Sequence, residues 1–175
     1  MEPGVVVIDV EETGDFPSKH FVLLIAAYHH DANDNIVSIF RRFMARPSTS
    51  HCFSTEDEMF QRPYFPALCK RWTVYANDPY ESMHDFCAWL NDVILHDPNI
   101  EVLVRSAKTR EWIDRYLYAF TFHSPLHLFT ESETAWPVIV PLSETESNME
   151  MDERMCLVSV RHRAKNEGPP NHVLQ

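Results

Sequence analysis

Glycine is scarce in this chain, which has three in 175 residues. Neither G-x-x-x-x-G-K-[ST] nor G-x-G-x-x-G occurs, which excludes the phosphate-cradling loops of the common nucleotide-binding folds. A G-x-S-x-G nucleophile elbow is absent too. No apolar run approaches the roughly 20 residues that cross a bilayer, and the amino terminus lacks a basic segment followed by an apolar one. These absences predict a soluble intracellular protein, cytoplasmic or nuclear, with no membrane partner. Cys52, Cys69, Cys87 and Cys156 are widely spaced with no C-x-x-C pair, so neither a zinc ribbon nor a disulfide framework is indicated. Positive charge is in deficit as well: 15 Lys and Arg stand against 26 Asp and Glu, for a net charge of −11. A chain of that sign does not hold nucleic acid mainly by neutralising phosphates. Any such contact has to be local, as at a carboxylate cluster whose bound ions reverse the field.

What the sequence does contain fits a packed globular fold, with 45% hydrophobic and 23% charged residues. At this length one compact domain buries about two-thirds of the surface of its unfolded chain. We expect that domain to span residues 1–167, followed by a flexible tail at 168–175 that begins with Gly168-Pro169-Pro170. No internal repeat or low-complexity segment is present. Residues 5–10 form a continuous β-branched apolar run, and residues 21–28 read as a second strand. After turn formers at 31–35, residues 36–44 alternate through Ile36, Ser38, Phe40 and Arg42. An antiparallel meander of three strands is predicted. Short helical pieces are expected over 54–72, where Pro63 and Pro66 limit length.

The clearest helix covers 79–95. Asp78 suits the N-cap, Pro79 the first turn and Glu81 the capping box, while Met83, Phe86, Cys87, Leu90, Val93 and Ile94 form one stripe. A strand at 100–104 and a helix to about Phe120 follow, the latter with Trp112, Ile113, Tyr116, Leu117 and Phe120 inward. Leu126 to Phe129 reads as a further strand, and residues 143–157 as a helix with an acidic face. Together these elements predict an α/β fold.

The chemistry concentrates in Asp9-Val10-Glu11-Glu12-Thr13-Gly14. A strand alternates sides, so Asp9 and Glu11 share a face at its end. Hard divalent ions take such oxygen ligands, and two ions about 4 Å apart can activate water and stabilise a leaving oxygen in phosphodiester cleavage. The tripeptide alone is common, and by itself it fits a solvated acidic turn better.

The stretch from Val7 to Ala27, with D-x-E-x-T-G, Lys19-His20-Phe21-Val22 and Ile25-Ala26-Ala27, resembles the first motif and second strand of the DEDD 3′–5′ exonucleases. Ala26 stands where that family usually has glycine. The resemblance extends more faintly along the chain, through the strand order and Trp112-Ile113-Asp114. It implies a ribonuclease H-like mixed sheet, three strands antiparallel and the rest parallel, flanked by helices. It also implies a metal-dependent 3′–5′ exonuclease acting on the 3′ end of DNA or RNA with two Mg²⁺ or Mn²⁺ ions. Asp9 and Glu11 would be metal ligands. His162 would be the general base, for which an imidazole pKa near 6.5 is apt. Glu167, five residues later, would be a ligand in place of the family's aspartate.

Two departures favour the alternative of a catalytically inactive fold serving as a nucleic-acid or protein interaction module. Thr109 stands where the second motif has aspartate, and Gly168-Pro169-Pro170 interrupts the third. Glu111 and Asp114 read as helix-surface residues. His123 and His127 have metal-ligand spacing, but Pro125 lies between them. Arg41-Arg42 and the set Arg161, Arg163 and Lys165 read as solvated faces.

Overall fold

The computed structural model describes residues 3–15, 19–47, 62–121 and 138–166. The expected meander is there. β1 (Val5–Glu12) pairs antiparallel with β2 (Val22–His30), which pairs antiparallel with β3 (Ile36–Phe43). On the other side of β1 lie β4 (Glu101–Val104) and then β5 (Val138–Ile139), both parallel to their neighbours, giving the order β3-β2-β1-β4-β5. The mixed sheet flanked by helices is the expected ribonuclease H-like arrangement. The expected strand around Leu126 and the tail at 168–175 lie outside the described residues, as do His123, His127 and Glu167. Among the described residues no helix is long and apolar enough to cross a membrane.

β1 is buried along its whole length, as its unbroken apolar run requires of a central strand covered on both faces. Its side chains divide between two cores. Val6, Ile8 and Val10 face α2 (Pro79–His96) and α3 (Ala107–Thr121), packing with Phe86, Leu90, Ile113 and Leu117. Val5 and Val7 face α5 (Met151–Asn166), packing with Met151, Met155 and Val158. Asp78 caps α2 as expected, its carboxylate accepting from the backbone N–H groups of Tyr80 (2.9 Å) and Glu81 (3.2 Å).

Pro66 limits the helix in the 54–72 region by starting it: α1 (Phe65–Tyr75) begins with proline in its first turn, where no N–H is needed. Trp72 of α1 donates its indole N–H to the Met44 carbonyl at 2.7 Å, which docks the helix beside β3. The single helix expected over 143–157 is two. A one-turn α4 (Glu144–Ser147) is closed by a Ser143–Glu146 capping box, and α5 begins at Met151.

Candidate functional site

Alternation along β1 continues past Val7, so Asp9 and Glu11 share a face, as expected from the sequence, and that face is the α5 side. Both are 1% exposed. The end of the strand is held by Thr13, whose N–H donates to the Phe21 carbonyl and whose hydroxyl accepts from the Phe21 N–H, each at 2.9 Å. Gly14 follows because the His20 ring lies against it. A Cβ there would come within 2.6 Å of the ring. Thr13 of the first motif thus has a structural role in closing the strand, and Gly14 leaves room for the His20 ring.

Buried carboxylates require compensation, and here arginines supply it. Arg105 follows β4, opposite Asp9 in the parallel register. Its Nε lies 2.8 and 2.9 Å from the two Asp9 oxygens. Arg154 is 0% exposed and sits between the two acids. Its Nε is 3.1 Å from Asp9 Oδ2, and its Nη2 donates to Glu11 Oε1. Its Nη1 donates to the Tyr64 hydroxyl at 3.0 Å and the Ser147 carbonyl at 3.1 Å. The other Glu11 oxygen faces Arg62 Nη1 at 3.2 Å and the Tyr64 hydroxyl at 3.3 Å. Lys108 Nζ lies 2.9 Å from Glu12 Oε1 and also pairs with Asp15. Four carboxylates (Asp9, Glu11, Glu12, Asp15) therefore meet four cations (Arg62, Arg105, Lys108, Arg154), and the formal charge of the cluster is zero.

Burial pushes the Glu11 carboxyl above its ordinary pKa, with Arg154 pulling the other way. For Arg154 burial disfavours the charge, but Asp9 and Glu11 more than offset it and raise the guanidinium pKa. Arg105 follows the same pattern, with burial opposed mainly by Asp9. The cations stay charged.

Of the other two residues expected at the site, Glu167 lies outside the described residues and His162 is placed elsewhere. His162 is on α5, the helix that packs on β1, but it lies near the opposite end of the strand, with Nε2 2.5 Å from Glu101 Oε2 and 3.1 Å from Asn166 Nδ2. Glu101 pairs with Val5 in the sheet, four residues before Asp9 and so about 13 Å along β1. The structure does not bring His162 to the carboxylate pair. Thr109 is buried in a local contact with Ser106 Oγ at the start of α3 and carries no charge to the cluster. Glu111 pairs with Arg115 on the exposed face of α3, while Asp114 is half-buried, with Arg110 3.8 Å from one oxygen and the other oxygen buried.

Arg62, Arg105 and Arg154 were not marked by motif spacing. A signal for Arg154 exists nonetheless: the inward stripe Met151, Arg154, Met155, Val158, Ser159, His162 has helical period, with an arginine where an apolar residue belongs.

A divalent ion does not fit this arrangement. Mg²⁺ takes six oxygens in an octahedron, one or two of them from free carboxylates, whereas all four oxygens of Asp9 and Glu11 face guanidinium groups. Among the described residues no group of three or more His, Cys, Asp or Glu side chains is arranged to hold a metal.

No protein-family profile matches the chain, and no curated protein matches it by sequence. Its fold is similar to several solved nuclease structures. Cell-death related nuclease 4 (CRN-4) superposes with a TM-score of 0.59 at 15% identity, over 95% of this chain and 64% of that one. E. coli Exonuclease I in complex with a dT13 oligonucleotide gives 0.54 at 12% identity, over 81% of this chain and 28% of that one. The nuclease domain of 3′hExo, a DEDDh family member, bound to rAMP, gives 0.51 at 13% identity, over 70% and 61%. The chain spans less than two-thirds of each. At these identities the likeness establishes an exonuclease-type fold.

Proposed function

We propose that this chain is an exonuclease-like fold that acts by binding a partner, without metal-dependent hydrolysis at Asp9 and Glu11. The observation that carries this reading is Arg154, fully buried between the two carboxylates that would hold the ions. The net charge of −11 favours a protein partner over a polyanionic nucleic acid. A cavity of about 80 Å³ beside Glu11 and Tyr64, with Leu24, Phe43 and Met151 on one part of its lining and Arg41, Arg71 and Asp152 on another, offers space for one side chain of such a partner.

The second reading is the two-metal 3′–5′ exonuclease acting on DNA or RNA ends with Mg²⁺ or Mn²⁺. The fold of the nuclease neighbours and the shared face of Asp9 and Glu11 favour it. It requires His162 or another base, and Glu167 or another ligand, to reach a pair already engaged by arginines. The two readings separate in one assay of 3′ trimming on single-stranded DNA and RNA with Mg²⁺ and Mn²⁺. We expect no cleavage above an Asp9→Ala control. Metal-dependent trimming that disappears in that control overturns the binding reading.

A further inference from the structure

β3 is one edge of the sheet, and among the described residues no strand lies beyond it. An edge strand presents a row of unpaired N–H and C=O groups, and sheets that keep such an edge open guard it with charge, proline or covering chain. On β3, Ile36, Val37 and Ile39 stand 47%, 58% and 50% exposed. No other stretch of four described residues carries three exposed large apolar side chains. We propose that this edge docks a second copy of the chain, the two β3 strands pairing antiparallel about a two-fold axis at Ser38 so that the two sheets join into one.

The register decides which backbone groups are available. The Met44 N–H donates to the Leu23 carbonyl at 2.9 Å, and the pairing from Leu24↔Phe43 to His29↔Ser38 is regular. Alternation therefore turns the N–H and C=O of Arg42, Phe40 and Ser38 toward β2 and those of Arg41 and Ile39 outward. Val37 is the extra residue of a bulge and has no β2 residue opposite it. Bulges and arginines guard edges elsewhere, but here the bulge leaves Ile36 and Val37 uncovered, and the arginines are engaged on the faces of the sheet. Arg41 donates to the Tyr28 hydroxyl and to Asp152, while Arg42 lies 5.1 Å over the Phe40 ring with Asp85 3.5 Å away.

The occupant follows from the symmetry of the strand. Ile36-Val37-Ser38-Ile39-Phe40 is apolar on both sides of Ser38, so a two-fold axis there sets Val37 against Ile39 twice and Ile36 against Phe40 twice. The same axis brings the turn with Asp31 and Asp34 beside the Arg41–Arg42 end of the other copy, at both ends of the contact. Parallel pairing would instead oppose arginine to arginine, which is unfavourable. Each copy carries a net charge of −11, which repels at long range and holds the affinity in the micromolar range.

Sedimentation velocity of the full chain from about 1 to 200 μM, in about 0.3 M salt to screen that repulsion, should show the mass of one chain rising to that of two. Val37→Lys/Ile39→Lys should weaken the dimer at least about tenfold with the melting temperature unchanged. Leu95→Lys, at a 79% exposed position on α2, should leave it intact. Ser38→Cys should cross-link to itself on oxidation, and Leu95→Cys should not. A native chain that stays monomeric at about 200 μM overturns the proposal and leaves the edge to a strand of another protein. A dimer that the double lysine variant leaves intact also overturns it, as does one that Ser38→Cys does not cross-link. If the lysine variant does not fold, Val37→Thr/Ile39→Thr, which keeps the β-branched shape, carries the same expectation. These outcomes leave Asp9 and Glu11 untouched, so the binding reading stands or falls by the trimming assay alone.

Discussion

Asp9→Asn is the substitution whose sign separates a cluster held by arginines from a metal pair lacking its ions. Two carboxylates converging in an open metal site repel each other, so neutralising one relieves the metal-free protein. Here Asp9 and Glu11 still repel each other, but arginines face both of them. Asp9 is 1% exposed and contacts two guanidinium groups, at 2.8 and 2.9 Å from Arg105 and 3.1 Å from Arg154. Removing one charge from a buried ion-paired group costs about 3–5 kcal/mol. Asparagine keeps the shape and can still accept a hydrogen bond, so the lower end, about 3 kcal/mol, is expected. For a domain of this size that corresponds to a fall in melting temperature of about 6–12 °C. Urea denaturation and thermal melts of both proteins in excess EDTA measure it. Equal or greater stability of Asp9→Asn under chelation would refute the ion-pair account of the cluster.

Other parts of the fold give independent checks. Phe86 is fully buried with its ring 5.4 Å from that of Phe40, so Phe86→Ala should cost about 3–5 kcal/mol in urea denaturation, and a loss below 1 kcal/mol would contradict the placement of α2. The Tyr116 hydroxyl accepts from the Val22 N–H at 2.8 Å in a buried contact. Tyr116→Phe leaves that donor unpaired, and a loss of about 1–3 kcal/mol is expected. The Glu146 carboxyl is lowered to about 2 from 4.5, first by its hydrogen bonds to Arg161 and then by the Ser143 N–H. Its contribution is therefore complete above pH 4.5 and lost as pH falls through about 2. The stability gap between native and Glu146→Gln should hold from pH 7 to 5 and close toward pH 2; a gap unchanged down to the acid end would show that Glu146 makes no such bond in solution.

The parts of this protein that were legible in the sequence are those set by local periodicity. The β-branched run of β1, the turn formers before β3 and the capped stripe of α2 each carry their own pattern. So does the shared face of Asp9 and Glu11, because period two in a strand decides it without reference to the rest of the chain. The cations that meet those acids come from three separate segments: the turn before α1, the end of β4 with the start of α3, and α5. No spacing rule joins them, and only packing brings them to one point. Arg154 was the exception, since its position on the apolar stripe of α5 was readable. Reading residues 143–157 as one helix obscured it, because the break after α4 shifts which positions face the sheet. His162 occupies the same stripe about two turns further on, near the other end of β1, where helix length and not residue type decides what it can reach.

The reach of Arg154 also sets an order of events for the growing chain. β1 is synthesised before α5, so Arg154, one of the two counter-charges of Glu11, follows it by 143 residues. During synthesis Glu11 lacks Arg154 until α5 has emerged, and burying it fully before that is unfavourable. The sheet therefore cannot complete its α5 face early: closure over β1 waits on α5, a long-range contact of the kind that slows folding.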